Sequence, residues 1–307
     1  MDNNAKEILT ILKNKYEEVS GADKGFQNTN ETREYYLENL EDNLYMPMSV
    51  GAEAFYKQGS GNELKTKMKA LRSSSALTYN LFWDLIAEIK DNDLEFGKGV
   101  YQVELEKQFP TLKESVSNNP ANLDAFLYCK HTKEAIACEM KLAEWLFNSP
   151  GKLKPAYLDK NNYRYEGEVF ANVAQSLLSP DGRTDKKGNY YGFTNRYDVF
   201  QMFKHALACY NACRFVEKRD IKKLTLVNCV WTLDETDKLS KSALYNYKKK
   251  EKEEREEFDE FEGKIEPIKA LFKKVGVDEF NVRFCEFSDF VRIFNKTDDE
   301  LNYLKRY

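Results

Sequence analysis

Residues 123–129 and 135–142 are two short runs dominated by apolar side chains, separated by the turn-forming stretch His131-Thr132-Lys133-Glu134. Runs of this length, bounded by turn chemistry and apolar at alternating and intervening positions alike, fit strands covered on both faces. Upstream, Val100-Tyr101-Gln102-Val103-Glu104-Leu105-Glu106 alternates with period two, and Gly97 and Gly99 punctuate its start, which predicts a further strand. The second and third segments are joined by only a few residues, so the three are expected to form a meander that ends in a hairpin. Central strands covered on both faces need helices on either side, which restricts the chain to an α/β or α+β architecture.

Three charged groups interrupt the two apolar runs: Asp124, Glu139 and Lys141. In a strand, residues i and i+2 project to one face, so Glu139 and Lys141 point together while Cys138, Met140 and Leu142 point the other way. Gln102, Glu104 and Glu106 share a face by the same rule, opposite Val103 and Leu105. With the second strand beside the third, Asp124 falls about one strand spacing, roughly 5 Å, from Glu139 and Lys141. Two carboxylates that close repel unless a cation joins them. Mg²⁺ suits such a place, because it takes hard oxygen ligands, keeps waters and accepts a substrate phosphate. Lys141 is then available to orient or deprotonate a water, or to offset charge developing on a phosphorane. A lone Glu-X-Lys carries little weight where 32% of residues are charged. Here the apolar flanks Ala135-Ile136-Ala137-Cys138 and Leu142-Ala143 argue against a merely solvated strand.

The remaining pattern divides the 307 residues into an N-terminal helical region (1–62), a core (63–233) and a charged C-terminal helix with a packing segment (234–307) on the same globule. Helical spacing predicts helices over 5–19 and 31–42, with 45–62 as a connection. Residues 63–90 lack Pro and Gly and repeat apolar positions at three and four, predicting one long helix, broken near Ser73-Ser74-Ser75. Further helices are expected at 166–178 and 195–217, a strand at 224–233, and a final strand and helix within 280–294. The run 248–257 alternates Lys and Glu without an apolar residue and reads as a solvated helix face. The core order is therefore helix, three strands, helix, strand, around a central mixed sheet of about four to five strands.

Composition narrows the function classes. A formal net charge of -4 excludes a chain-wide electrostatic grip on nucleic acid, so any DNA contact must be local; Lys222-Lys223 and the cluster Lys65, Lys67, Lys69, Arg72 are candidates. No apolar run is long enough to span a bilayer, and residues 1–15 carry charges throughout, so a cytoplasmic location without membrane contact is expected. The six cysteines form no CxxC pairs, and only two histidines are present, which argues against structural zinc. The motifs GxxxxGK[ST], GxGxxG, GxSxG and HExxH are missing. His131 falls in a turn and His205 on a helix, both read as structural or exposed. The 19 tyrosines and 20 phenylalanines recur at helical spacing, which favours core over base-stacking platforms.

Asp124, fourteen residues, then Glu139-Met140-Lys141 resembles the bipartite motif of the PD-(D/E)XK nuclease superfamily, in the element order of that fold. Ser73-Ser74-Ser75-Ala76-Leu77 with Asn80 and Phe82, Glu104-Leu105-Glu106, Glu144, and Gln201-Met202-Phe203-Lys204-His205 resemble a bacterial restriction-endonuclease-like branch. The resemblance spans about residues 70–232. It implies metal ligation by Asp124 and Glu139, a catalytic role for Lys141, and a further acid from the preceding strand, Glu104 being preferred to Glu106. Gln201 resembles the helix glutamine that some branches direct at the site. Ser74 and Ser75 either bind a phosphate or interrupt the helix. One departure is Leu123, which precedes Asp124 where the motif often has proline; the nearest proline is Pro120.

The sequence reading is therefore a Mg²⁺-dependent endonuclease that hydrolyses DNA by metal-activated water, with Mn²⁺ as a substitute cation, in restriction or defence. A non-enzymatic binding or assembly protein on the same fold, and a nuclease for RNA or repair intermediates, are the alternatives. The sequence leaves open whether the chain works as a homodimer and which proteins it meets.

Overall fold

The computed structural model describes residues 3–21, 24–27, 35–58, 63–117, 119–147, 149–216 and 219–307. In chain order the elements are α1 (Asn3–Ser20), α2 (Val50–Gln58), α3 (Ser74–Leu81), β1 (Ile86–Ile89), β2 (Gly99–Phe109), β3 (Ala121–Cys129), β4 (Glu134–Lys141), α4 (Glu144–Phe147), α5 (Gly167–Ser176), α6 (Val199–Asn211), β5 (Lys223–Val230), α7 (Lys241–Lys264), α8 (Glu266–Lys269), β6 (Glu279–Glu286), α9 (Phe287–Arg292) and α10 (Asp298–Leu304). The six strands form one mixed sheet in the order β1-β2-β3-β4-β5-β6. Strands β1 to β4 are antiparallel; β5 and β6 then run parallel to β4. Each parallel step needs a crossover, supplied by α4 to α6 before β5 and by α7 and α8 before β6.

The alternation of the strands sorts the core into two layers. Ala125, Leu127, Ile136, Cys138, Met140 and Cys229 pack with α1 and α3 on one face. Phe126, Tyr128, Ala135, Ala137, Leu224 and Leu226 pack with α5, α6 and α7 on the other. The meander and hairpin expected from 100–106, 123–129 and 135–142 are present, with Cys129 paired to Glu134 across the turn.

Four sequence expectations are corrected. Residues 31–34 of the helix expected at 31–42 lie outside the described residues, and the rest is not α-helical: Tyr36 and Leu37 make isolated bridges to Ala70 and Phe26, and only Glu41–Asn43 turns, as a 3-10 helix. Tyr35 and Leu37 are both buried, a period of two that the helical reading overlooked. Within 45–62, expected to be a connection, α2 forms and buries Ala52 and Tyr56 on one face; residues 59–62 are outside the described set. The single helix over 63–90 is instead a 3-10 turn, the eight-residue α3 capped by Ser73, and β1. Ile86-Ala87-Glu88-Ile89 buries only its second and fourth residues, and pairing with β2 wins over helical continuation. That adds the strand that raises the sheet to six.

Helix α7 corrects the solvated reading of 248–257. Tyr247, Glu254, Phe258 and Phe261 are buried at spacings of seven, four and three, one stripe of the helix. Glu257 accepts the backbone N–H groups of Asn195, Arg196 and Tyr197 at 2.7, 2.8 and 2.9 Å, tying α7 to the segment that enters α6. Among the described residues no helix is long and apolar enough to cross a membrane.

Candidate active site

The site forms where the sheet ladder opens. Pairing of β2 with β3 runs from Gln102↔Tyr128 to Leu105↔Ala125 and resumes at Lys107↔Leu123, leaving Glu106 opposite Asp124 without a ladder pair. Glu106 has φ +49°, a left-handed conformation rare for a residue with a Cβ. Strand phase reverses here: Leu105 and Ala125 pack in the α3-side core, whereas Leu123 and Phe109 pack in the α6-side core. Such backbone strain, of order 1–3 kcal/mol, persists where the surroundings impose it and is concentrated at functional sites. On the other side, β3–β4 pairing stops at Ala125↔Cys138. Asp124 Oδ2 accepts the Met140 backbone N–H at 2.7 Å beyond that point, which turns the aspartate into the gap between the strands.

The opening is a pocket of about 470 Å³, into which Glu63, Glu106, Asp124, Glu139, Lys141 and Gln201 all project. Glu139, only 3% exposed, is held on both oxygens. Lys141 Nζ and Gln201 Nε2 each donate to its Oε1 at 2.7 Å, and Lys141 Nζ also donates to Gln201 Oε1 at 2.6 Å. His205 Nε2 lies 2.8 Å from Glu139 Oε2; an ionised carboxylate only accepts, so Nε2 carries the hydrogen. Asp198 caps α6 by accepting the Gln201 N–H at 2.9 Å and so fixes the turn that carries Gln201. Gln201 and His205, four apart, share the helix face that meets β4.

Electrostatics separate the carboxylates. Burial alone would raise Glu139, but the Lys141 charge and the His205 hydrogen bond outweigh it and hold the carboxyl down at about 2. Burial, then the charges of Glu139 and Glu106, push Asp124 well above the usual aspartate range. Glu106 is raised to about 7 by burial and by Glu63 and Glu139, against the hydrogen bond from Asn122. Lys141 is disfavoured by burial, yet Glu139 and Glu144 hold its ammonium charged beyond the ordinary lysine range. A lysine held charged is suited to positioning and charge compensation, not to taking a proton from water.

A group whose folded pKa is raised contributes stability that is complete below its unfolded value and lost as pH rises through the folded one. Glu106 should therefore cost the cation-free protein of order 2 kcal/mol between about pH 4 and pH 8. Urea unfolding in EDTA is expected to show that loss in the wild type relative to Glu106→Gln; parallel pH curves for the two proteins would contradict the assignment.

Of the sequence candidates, Asp124, Glu139, Lys141 and Gln201 meet in this pocket. Glu104 does not: its carboxylate is engaged by Lys107 and Arg219 on the sheet surface outside the pocket. The strand phase that joined Glu104 to Glu106 is broken at Glu106, which takes the place beside Asp124. His205, read as structural or exposed, is 2% exposed and bonded to Glu139; its four-residue spacing from Gln201 was the available signal. Ser75 donates to Glu63 at 3.1 Å, and Ser73, not Ser74, caps α3. From the basic candidates, Lys67 and Arg72 line the pocket. Lys222 and Lys223 are spent on Asp220, Glu134 and the backbone of Gly276 and Glu95.

Asp124, Glu139 and Glu106 offer hard oxygen donors; burial first, and then neighbouring carboxylate charge, raises Asp124 and Glu106, and a divalent cation relieves the charge part. In chemistry the donor set fits Mg²⁺. Among the described residues no three His, Cys, Asp or Glu side chains are already gathered as a metal-holding group, consistent with Glu139 being fully engaged by Lys141, Gln201 and His205.

A family model described as "Restriction Endonuclease associating with ARP" (REase-ARP) covers residues 6–276. No curated protein and no solved structure matches the chain.

Proposed function

We propose, for a chain that belongs to the REase-ARP family of restriction endonucleases, that it is a Mg²⁺-dependent DNA endonuclease of PD-(D/E)XK type acting in restriction. The observation that carries this reading is the single pocket in which Asp124 and Glu106 face a Glu139 bound by Lys141, Gln201 and His205. Asp124 and Glu139 would hold the cation, with Glu106 as the supporting acid; Mn²⁺ would substitute. When bound, the cation lowers the pKa of a water and neutralises charge on the phosphate oxygens. The chain's own residues do the rest. Lys141 keeps its ammonium against the developing negative charge. Gln201 fixes Lys141 and Glu139 relative to each other, and His205 fixes the Glu139 carboxylate plane. Arg72 on the pocket rim, with Lys67 beside it once a phosphate competes with its 2.6 Å pair to Glu63, is placed for neighbouring backbone phosphates, the local contact that a net charge of -4 requires. The family description adds association with an ARP partner, which we extend to this chain.

The test is cleavage of supercoiled plasmid DNA with Mg²⁺ and with EDTA, by wild type, Glu106→Gln and Glu104→Gln. Glu106→Gln is expected to lose on the order of tenfold in rate and Glu104→Gln to cut as the wild type does. The reverse ranking would return the supporting role to Glu104. Cleavage that persists in EDTA would remove the cation from the account.

A further inference from the structure

Lys141, Glu144 and Gln201 form a wall between two cavities: the pocket just described and a second of about 160 Å³ behind it. Asp198, Asn228 and Glu254 line the second one as well. Two of its three carboxylates are committed. Glu144 Oε2 accepts the backbone N–H groups of Leu142 and Ala143 at 2.9 and 3.0 Å. Asp198 accepts those of Gln201 and Gly151 at 2.9 and 2.8 Å. Glu254 differs: no backbone N–H holds its buried Oε2, and Asn228, whose Nδ2 is also buried, is the neighbour whose side chain lowers its carboxyl pKa. The two residues are 2% and 1% exposed. Glu254 occupies a position in the apolar stripe of α7 where a hydrophobic residue would serve stability better. Burial and the charge of Glu257 push its carboxyl up to about 8, while the charge of Lys141 works against them.

We propose that Glu254 is a positioning residue, a second acceptor that holds the Lys141 ammonium from behind, at the wall shared with the front pocket, when a divalent cation takes the Glu139 oxygens. The inference rests on the reading of the front pocket as a cation-dependent nuclease site. Lys141 and Gln201 hold Glu139 Oε1 and His205 holds Oε2, so a cation bound by Glu139 displaces a hydrogen bond and sets a second positive charge beside Lys141. With Glu139 turned to the cation, Lys141 keeps only the neutral Gln201 Oε1, and a buried ammonium beside a second positive charge calls for a carboxyl acceptor. Its flexible four-carbon stem lets Nζ shift toward the rear cavity without leaving the front pocket, since Lys141 lines both. Glu254 is the carboxylate there that no backbone N–H holds, unlike Glu144 and Asp198. Gln201, which lines both cavities, remains in reach of Lys141 in either position.

Isothermal titration of Mg²⁺ into the full chain without DNA reads this independently of cleavage. Glu254→Gln is expected to weaken Mg²⁺ binding on the order of tenfold, while unfolding in EDTA stays as in the wild type, because the amide replaces a carboxyl that is already mostly neutral at pH 7. Glu254→Asp should restore part of the affinity. In a Lys141→Met background the same Glu254→Gln change should leave Mg²⁺ affinity unaltered, since the acceptor has lost its ammonium. Equal affinity of wild type and Glu254→Gln overturns the inference and leaves the nuclease reading standing. Equal loss in both backgrounds also overturns it, because Glu254 would then act on the cation and not on Lys141. A wild type that binds no Mg²⁺ overturns the cation reading, and this inference with it.

Discussion

Asp124→Asn is expected to reduce Mg²⁺-dependent DNA cleavage about 10³-fold or more, at the upper end of what single catalytic groups contribute, without lowering the melting temperature in EDTA. The amide is the same size and keeps an oxygen for the Met140 N–H, so the turn of the side chain into the gap is retained. It also removes the charge that burial, Glu139 and Glu106 all disfavour. A residue kept for folding alone would not be placed so; its removal should leave the protein as stable or more stable, and inactive. Lys141→Met should remove activity to a similar extent, but with a stability cost, because Glu139 loses the charge that does most to keep it ionised. Plasmid cleavage and thermal melting of the purified variants check both halves. Asp124→Asn protein that unfolds, or that cuts at more than about a tenth of the wild-type rate, contradicts the assigned role.

His205→Leu has the second-largest expected effect, a fall of about 10²-fold in cleavage with about 2 kcal/mol of destabilisation. Glu139 Oε2 lies in the α6-side core, and the ring supplies its hydrogen bond. Leucine fills the space and leaves that oxygen unpaired. His205→Gln can present an N–H to the same atom and should recover part of the activity. Urea unfolding separates the two effects: recovery of stability by glutamine without recovery of cleavage would show that His205 only seals the core. Full activity in His205→Leu would show that Glu139 needs no fixing from α6.

The meander, the crossover to β5 and the last strand were legible because each is a run whose alternation or apolarity is local. The pair Glu139 and Lys141 was legible for the same reason, since period two holds through β4 up to Lys141. Glu104 and Glu106 were not separable by that rule. The left-handed turn at Glu106 reverses the strand phase, and nothing in Glu104-Leu105-Glu106 announces it. Strand β1 was hidden because Trp83, Ile86 and the residues before them also satisfy helical spacing, and only pairing with β2 decides between the two. Glu254 was read as solvated because its neighbours in sequence are all charged; the apolar residues that share its buried stripe, Tyr247, Phe258 and Phe261, lie on either side of the charged run. His205 was hidden by rarity, with two histidines and no local motif. Its spacing from Gln201 acquires meaning once α6 is known to cross β4.

The central claim is that this pocket cuts DNA with a divalent cation. Its most direct measurement is the linearisation or nicking of supercoiled plasmid by the wild-type chain across a Mg²⁺ titration, with the Asp124→Asn protein purified and assayed alongside. The account predicts cleavage that rises with Mg²⁺, stops on chelation and is missing from the variant. Intact plasmid at every Mg²⁺ and Mn²⁺ concentration, in the presence of the proposed ARP partner as well, would contradict it, as would equal cleavage by both proteins.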